Sequence, residues 1–465
     1  MFRIAGHYVS SRVLLLVLGD SLLVGAAGYS GQWLNALGAP APWVGHEPHL
    51  PKAVALAGVA LFALFLSDLY DLVRWRRSAE LGVRLGLAFG LVALIAGAGN
   101  FLVPILRFGR LNFVLAISLS AVGTFGWRVL ARRLMGAERF RERILILGTG
   151  KPARLVLDEL AAYRAPAFEV VGLAEGSGRE PAAVVGNGVP LLGSVTDLDG
   201  LCGRHRVDSV VVALAERRGS FPLREILACK MRGIRVEDYP NFLERLTGKI
   251  PVHDLRPSWL IFSDGFATGT LFRRLKRAVD FLLAAGLLVL TAPAAGLVAA
   301  AIRLDSRGPA LFRQERIGQS GRRFTLLKFR SMSEDAEQAT GPVWAAEDDP
   351  RITRVGRVIR KIRLDELPQL WNVLRGEMSF IGPRPERPHF VETLQEIVPY
   401  YAQRHAVRPG VTGWAQVRYP YGASVEDALE KLQYDLYYIK NMSLFLDFMI
   451  LLATVQVVLF GRGAR

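Results

Sequence analysis

Long apolar runs bordered by arginine constrain this chain more than any other feature. Four of them occupy residues 12–31, 52–67, 82–106 and 111–131. A helix needs about 20 apolar residues to cross a hydrocarbon core ~30 Å thick, so each approaches a membrane span, the second falling short. Asp20 and the apolar residues after it offer no small-residue cleavage site, so the first run reads as a span and not as a signal peptide. The placement of Lys and Arg predicts orientation. Arg3 and Arg12 precede the first run, and Arg74, Arg76 and Arg77 follow the second. Arg128, Arg132, Arg133, Arg139, Arg141 and Arg143 gather at and after the fourth, whereas residues 32–51 hold no Lys or Arg. Arg107 and Arg110 are a mild exception. The N-terminus and everything beyond residue 132 are expected in the cytoplasm.

A bundle of spans alone would not carry 22% charged residues, and a disordered chain would not be 51% hydrophobic. With 58 Lys and Arg against 42 Asp and Glu, the formal charge is +16. That surplus belongs to a large basic cytoplasmic part facing a lipid bilayer and anionic ligands, with no nucleic acid expected as partner. Two cysteines, Cys202 and Cys229, and seven scattered histidines exclude a disulfide framework and a four-ligand zinc site.

A fifth apolar run, Ala278–Ile302, is basic at both ends: Lys276 and Arg277 before it, Arg303 and Arg307 after it. A true span would put one basic end outside, against the positive-inside tendency. Pro293 lies in its second half, near Gly286 and Gly296. A helix broken at Pro293 that enters and leaves by one face satisfies both ends, the alternative being an ordinary span with a proline kink. The segment Leu444–Phe460 is short for a span and reads as an interfacial helix.

Between the membrane regions, Arg143–Gly148 reads as a buried strand running into Gly148-Thr-Gly-Lys-Pro-Ala153 and a helix to about Tyr163. Strand-like runs recur at Glu169–Leu173, Val207–Leu214 and Ile234–Val236, with helical stretches between, the doubly wound α/β pattern. The glycine turn is a poor dinucleotide fingerprint: Pro152 occupies the loop and Ala153 the third glycine position, although Glu175 stands where a ribose-binding acid would. A Rossmann-like domain serving structure is the preferred reading. Pro251, Pro257 and Trp259 mark a linker after it.

Three features converge in the last 190 residues. The run from Arg351 to Arg363 holds six cations and no acid, with Ile352, Val355, Ile359 and Ile362 spaced as one face of a helix. Next to it, in Leu364-Asp365-Glu366-Leu367-Pro368-Gln369, two adjacent carboxylates meet the densest positive charge in the chain. Arg360 stands five residues before Asp365, and nearby cations hold a carboxylate ionised. The turns Gly382-Pro-Arg-Pro385, Arg408-Pro-Gly-Val-Thr-Gly413 and Lys328-Phe-Arg-Ser-Met332 set cations among glycine and proline, where arginine forks and turn amides suit phosphate oxygens. Each alone reads as a solvated face or an ordinary turn; together they point to an anionic substrate handled at a bilayer surface.

The region from Leu275 to Met442 resembles the bacterial polyprenyl-phosphate sugar-1-phosphate transferases, the monotopic phosphoglycosyl transferases that initiate exopolysaccharide and O-antigen synthesis. Besides the stretches above, Lys276-Arg277-Ala-Val-Asp280, Ser306-Arg-Gly-Pro309, Phe312–Gly318 and Met378–Pro385 match in order. One departure is Ala292 before Pro293, where the family often has Ser. The resemblance implies membrane α plus α/β architecture: a four-helix transmembrane region (1–133), a cytoplasmic Rossmann-like domain (134–250), a linker (251–274), and a mainly α catalytic domain (275–465) with a re-entrant helix (278–302). It implies a multi-pass protein of the bacterial inner membrane, and a homodimer. It also implies transfer of a sugar 1-phosphate from a UDP-sugar to polyprenyl (undecaprenyl) phosphate, releasing UMP.

The acceptor phosphate, with a second pKa near ~6, is already a nucleophile at neutral pH. The obstacle is bringing two phosphate anions together, which calls for arginines and a divalent cation such as Mg2+. A carboxylate then splits one exchange into two covalent steps. The family assigns Asp365 as nucleophile and Glu366 as its partner in holding Mg2+. Arg360, Lys328, Arg330, Arg384 and Arg408 are the candidate phosphate binders, and Lys276, Arg277 and Pro293 belong to the re-entrant helix. Two rivals stand beside this reading. A membrane-anchored NAD-dependent sugar dehydratase or epimerase would show Tyr-x-x-x-Lys, and no tyrosine here has Lys four residues on. A non-catalytic scaffold would have lost the carboxylates or the cations.

Overall fold

The computed structural model describes residues 2–4, 7–9, 11–36, 49–70, 78–103, 107–135, 141–163, 168–176, 188–214, 221–252, 255, 257–266, 269–333, 351–419, 422 and 424–460. Arg74, Arg76, Arg77 and Arg139, used above for orientation, lie outside them. The protein is mostly helical. It divides into two compact units, one chiefly Tyr8–Tyr239 and the other chiefly Pro240–Arg465. Two short strands at the N-terminus, β1 (Phe2–Ile4) and β2 (His7–Val9), pair with each other.

In the first unit, the apolar runs become helices α1 (Ser11–Ala36), α2 (His49–Leu66), α3 (Ser78–Leu102) and α4 (Arg110–Met135). Within α1, α3 and α4, Ser11–Tyr29, Leu81–Leu102 and Arg110–Leu134 are long and apolar enough to cross a membrane; the apolar part of α2, Leu50–Leu66, is short. Leu22, Leu94 and Phe101 stay exposed, as suits a lipid-facing surface. Between α1 and α4, Arg128 Nη2 lies 2.6 Å from Asp20 Oδ2, both side chains fully buried. Tyr70 donates to the same oxygen at 3.0 Å, and Arg128 also donates to the Leu69 carbonyl. A charge in hydrocarbon is costly unless paired, so this bond fixes how α1 and α4 meet.

Helices α5 (Lys151–Ala162), α6 (Leu198–Arg204) and α7 (Leu223–Met231) lie among five strands, β3 (Glu142–Leu147), β4 (Phe168–Glu175), β5 (Leu191–Ser194), β6 (Ser209–Val212) and β7 (Arg235–Asp238), with β5 following β4 directly among the described elements. The strands pair in parallel in the order β5-β4-β3-β6-β7, so the first sits centrally. Ile144 to Leu147 are wholly buried, which explains the unbroken apolar run of a strand covered on both faces. Gly148 has φ +122°, and a Cβ there would lie 2.4 Å from the Ala213 carbonyl oxygen, so only glycine closes this turn. Strand β5 was not expected from sequence: four residues at an exposed sheet edge give too little alternation to detect.

The second unit contains α8 (Tyr239–Thr247), α9 (Pro257–Phe262), α10 (Thr270–Asp305), β8 (Leu311–Ile317), β9 (Arg323–Phe329), α11 (Arg354–Lys361), α12 (Gln369–Arg375), β10 (Ser379–Ile381), α13 (Pro388–Ile397), β11 (Gly410–Thr412), α14 (Trp414–Arg418), α15 (Val425–Lys440) and α16 (Leu444–Phe460). Strands β8 and β9 form an antiparallel hairpin, and β10 pairs with β11 in parallel. Its main core gathers Val373, Met378, Ile381, Trp414, Tyr437, Tyr438 and Leu446. Ile250, the last residue of the expected Rossmann-like domain, and Val252 and Leu255, at the start of the expected linker, join this core.

Helix α10 continues through Pro293, where a break was expected. Proline removes one hydrogen bond but holds a helical φ, and helix flanks it on both sides. Its first turns are bolted to the unit. Lys276 Nζ meets Asp447 Oδ2 at 2.7 Å, Arg277 donates to the Val373 and Leu374 carbonyls at 2.6 and 2.7 Å, and Asp280 accepts from the Phe380 amide at 3.1 Å. At the far end, Val298 and Ile302 pack with Ala310, Phe329 and Ile359.

Replacing Arg128 by Met should destabilise the first unit by about 3–5 kcal/mol, because it strands Asp20 without its cation. The pair Asp20→Asn with Arg128→Met should recover most of that loss, measured as thermal unfolding of the protein in detergent.

Candidate active site

Lys328 sits near the end of β9, whose backbone is held by a buried amide. Asn372 Oδ1 accepts from the Leu327 amide at 3.0 Å, and its Nδ2 donates to the Thr325 carbonyl at 2.8 Å and to Glu377 Oε2 at 2.7 Å. The site's second wall starts at α11. Thr353 caps that helix by accepting from the Gly356 amide, and Asp305 accepts from the Val355 amide. A Cβ on Gly356 would lie 2.0 Å from the Ser331 carbonyl oxygen, so glycine lets α11 rest directly on the strand's exit. The helix stops because Arg363 is left-handed, at φ +60°, and turns the chain into a short 3-10 segment, Leu364–Glu366.

That turn separates the two carboxyls. Glu366 Oε1 faces three cations: Arg384 Nη2 at 3.1 Å, Lys328 Nζ at 3.4 Å and Arg363 Nη1 at 3.6 Å. Burial would raise its pKa, but Lys328, Arg384 and Arg363 prevail and hold it at about 2. Asp365 is 8% exposed and, among the described residues, its side chain has no hydrogen bond or ion pair. Burial, reinforced by the charge of Glu366, pushes its pKa above the usual carboxylate value against the pull of Lys328. Burial and the neighbouring Arg384 likewise depress the pKa of Lys328, against the pull of Glu366. Two adjacent carboxyls are thus driven apart, the separation that marks different chemical roles. Three cations around two acids leave a site fitted to an added anion.

The structure brings Asp365, Glu366, Lys328 and Arg384 together. Arg363 joins them although sequence reasoning passed over it in favour of Arg360. Arg360 is favoured in sequence for standing five residues before Asp365; the left-handed residue Arg363 turns the chain between them, and Arg360 makes no side-chain bond among the described residues. The signal available was the three-residue step from Arg363 to Glu366. Arg330 points elsewhere: its guanidinium donates to Arg307 and Ser306 carbonyls at 2.5 and 2.8 Å, closing the C-terminal end of α10. Arg408 is half-buried before β11, its side chain unbonded among the described residues.

No group of three or more His, Cys, Asp or Glu among the described residues forms a metal cage. Asp365 and Glu366 do suit Mg2+, which takes one or two hard carboxylates and draws its other ligands from substrate phosphates and water. The unpartnered Asp365 has the freer oxygens, since Glu366 Oε1 is already committed to cations.

A family model described as "Bacterial sugar transferase" matches residues 271–461. Among proteins of similar sequence, a UDP-N-acetylgalactosamine-undecaprenyl-phosphate N-acetylgalactosaminephosphotransferase of Aeromonas hydrophila is 41% identical over 264 residues, 57% of this chain and 62% of that protein. An undecaprenyl-phosphate glucose phosphotransferase of Komagataeibacter xylinus is 34% identical over 363 residues, 76% of this chain and 65% of its own length. The chain thus spans a little under two thirds of these two relatives. A UDP-glucose:undecaprenyl-phosphate glucose-1-phosphate transferase of Xanthomonas campestris pv. campestris is 30% identical over 487 residues, covering 99% of this chain and 96% of the relative.

The Glu366 pKa, lowered from 4.5 to about 2, makes a pH prediction. A depressed carboxylate stabilises the fold above its unfolded pKa and loses that contribution as pH falls through the folded one. Glu366 should contribute roughly 3 kcal/mol at neutral pH, lost between about pH 4.5 and 2. Acid melts of Glu366→Gln should lack this component, and its melting temperature at pH 7 should be lower because three cations are left facing one another.

Proposed function

Because this chain belongs to the bacterial sugar transferase family, we propose that it transfers a sugar 1-phosphate from a UDP-sugar to undecaprenyl phosphate, releasing UMP, at a membrane surface. The observation that carries this reading is the unpartnered Asp365 beside the Lys328–Arg363–Arg384 cluster on Glu366. Arg384, Lys328 and Arg363 neutralise the pyrophosphate of the donor. An Asp365 carboxylate oxygen attacks the sugar-bearing phosphorus, the bond from that phosphorus to the UMP oxygen breaks, and UMP departs with the electron pair. An oxygen of the lipid phosphate then attacks the same phosphorus and returns Asp365 to a free carboxylate. The low pKa of Glu366 keeps it ionised throughout, anchoring the cations instead of transferring protons. Mg2+, held by Asp365 and Glu366 with the donor phosphates, would supply charge neutralisation.

The second unit operates on one face of the bilayer. Both ends of α10 are fastened within that unit, Lys276, Arg277 and Asp280 at one end and Val298 and Ile302 at the other. A spanning α10 would divide these contacts between two sides of the membrane, which supports a re-entrant helix bent at Pro293 without loss of its helical assignment, and the basic residues after α4 support a cytoplasmic position for the unit beside its UDP-sugar, at the bacterial inner membrane. The parallel sheet is a Rossmann-like structural module, supported by its β5-β4-β3-β6-β7 order. The chain works as a homodimer, a reading that rests on likeness to the large family members.

Two measurements test this. Purified protein in nanodiscs with Mg2+ and a panel of UDP-sugars should release about one equivalent of UMP before acceptor is added and turn over once polyprenyl phosphate is present. Asp365→Asn should lose the burst and lower turnover by at least about a thousand-fold. Release that always needs acceptor would replace the covalent route with direct displacement, and no release from any donor would sink the transferase. For orientation, a membrane-impermeant maleimide on intact cells should label Ala41→Cys and not Ser320→Cys, the native Cys202 and Cys229 being buried; the reverse pattern would overturn the topology.

A further inference from the structure

Arg384 stands in a turn that its own backbone cannot hold. In Gly382-Pro383-Arg384-Pro385-Glu386, two of the five residues lack an amide N–H, so the turn must be fixed through its carbonyls. Four consecutive carbonyls are each bonded from outside the turn. The Pro383 oxygen accepts from the Gly410 amide at 2.9 Å, and the Glu386 oxygen from the Ile317 amide at 3.0 Å. The two between them accept from arginine side chains: Arg384 from Arg404 Nη2 at 3.1 Å, and Pro385 from Arg316 Nη1 at 3.0 Å.

Arg404 is itself rigidly placed. It is 6% exposed; Nη2 also meets Asp435 Oδ2 of α15 at 2.9 Å, and Nη1 donates to the Tyr401 hydroxyl at 2.5 Å. Arg316 donates to Gln314 Oε1 at 2.6 Å along β8. One clamp therefore comes from α15 through Arg404 and the other from the β8–β9 hairpin that also carries Lys328. The Arg384–Glu366 distance is set between them.

We propose that Arg404, braced by Asp435, and Arg316 are positioning residues that hold the Gly382–Glu386 turn and so aim Arg384 at Glu366 and the donor phosphates. This deepens the transferase reading and rests on it. A displaced Arg384 loses charge stabilisation that matters most as the phosphorus–oxygen bond breaks, so the loss falls on kcat more than on KM.

The test is a double-mutant cycle on the full chain in nanodiscs, reading UMP release. Removing the ion pair as a unit, Arg404→Gln with Asp435→Asn, leaves no lone buried charge and should lower kcat about 10–100-fold with KM changing less. In an Arg384→Gln background the same pair should cost less than about 3-fold, because the residue they aim is gone. Equal losses in the two backgrounds would overturn the proposal. Arg316→Gln, at the less buried clamp, repeats the comparison if the paired variant melts too low to assay. Should the wild type release no UMP from any donor, the transferase reading fails separately. Hydrogen exchange then decides the clamp: the Ile317 and Gly410 amides, which donate to the turn, should exchange at least about tenfold faster in the clamp variants, and unchanged protection would overturn it.

Discussion

A single carboxylate oxygen, Glu366 Oε1, faces cations from three separate pieces of chain. Lys328 comes from a hairpin strand, Arg363 from the turn after a basic helix, and Arg384 from a proline-locked turn. Without that negative charge the three would repel one another and the segments carrying them would part. With it they converge into a region of surplus positive potential beside an unpartnered Asp365. The interaction that organises the fold locally also leaves a surplus of positive charge there.

The surrounding architecture reads as support for that convergence. Asn372 fixes the strand that bears Lys328, Gly356 lets α11 approach Ser331, and Arg404 and Arg316 hold the turn that bears Arg384. Arg330 and Arg277 spend their guanidinium groups on helix C-terminal carbonyls, where a cation also complements the helix dipole. Several cations of this basic unit thus serve backbone geometry, whereas Lys328, Arg363 and Arg384 meet Glu366. The unlike pKa shifts of Asp365 and Glu366 follow from where the cations fall: three meet one carboxyl directly, and none bonds the other.

Both units keep charge or apolar mass where lipid would surround it, in different ways. In the first, the fully buried Asp20–Arg128 pair joins α1 to α4. In the second, charges at the ends of α10 engage protein partners while Leu282, Val289, Leu290 and Leu297 remain exposed along its middle. That distribution leaves the middle of α10 apolar and exposed, in a helix long and apolar enough to cross a membrane.

The linear sequence determined much here. Apolar run length gave the four N-terminal helices and the shortness of the second; an unbroken buried run gave the central strand; and Asp365-Glu366 beside dense positive charge pointed to the cluster in which Lys328 and Arg384 meet Glu366. These features depend on composition and near-neighbour spacing, which a sequence displays directly. It did not display strand β5, the helical continuity through Pro293, the choice of Arg363 over Arg360, or the diversion of Arg330 to a helix end. Each of those depends on a left-handed residue, a sheet edge or a distant carbonyl that decides where a side chain is needed. An arginine's role is set by the acceptors within reach of its guanidinium, and only tertiary structure settles which acceptors those are.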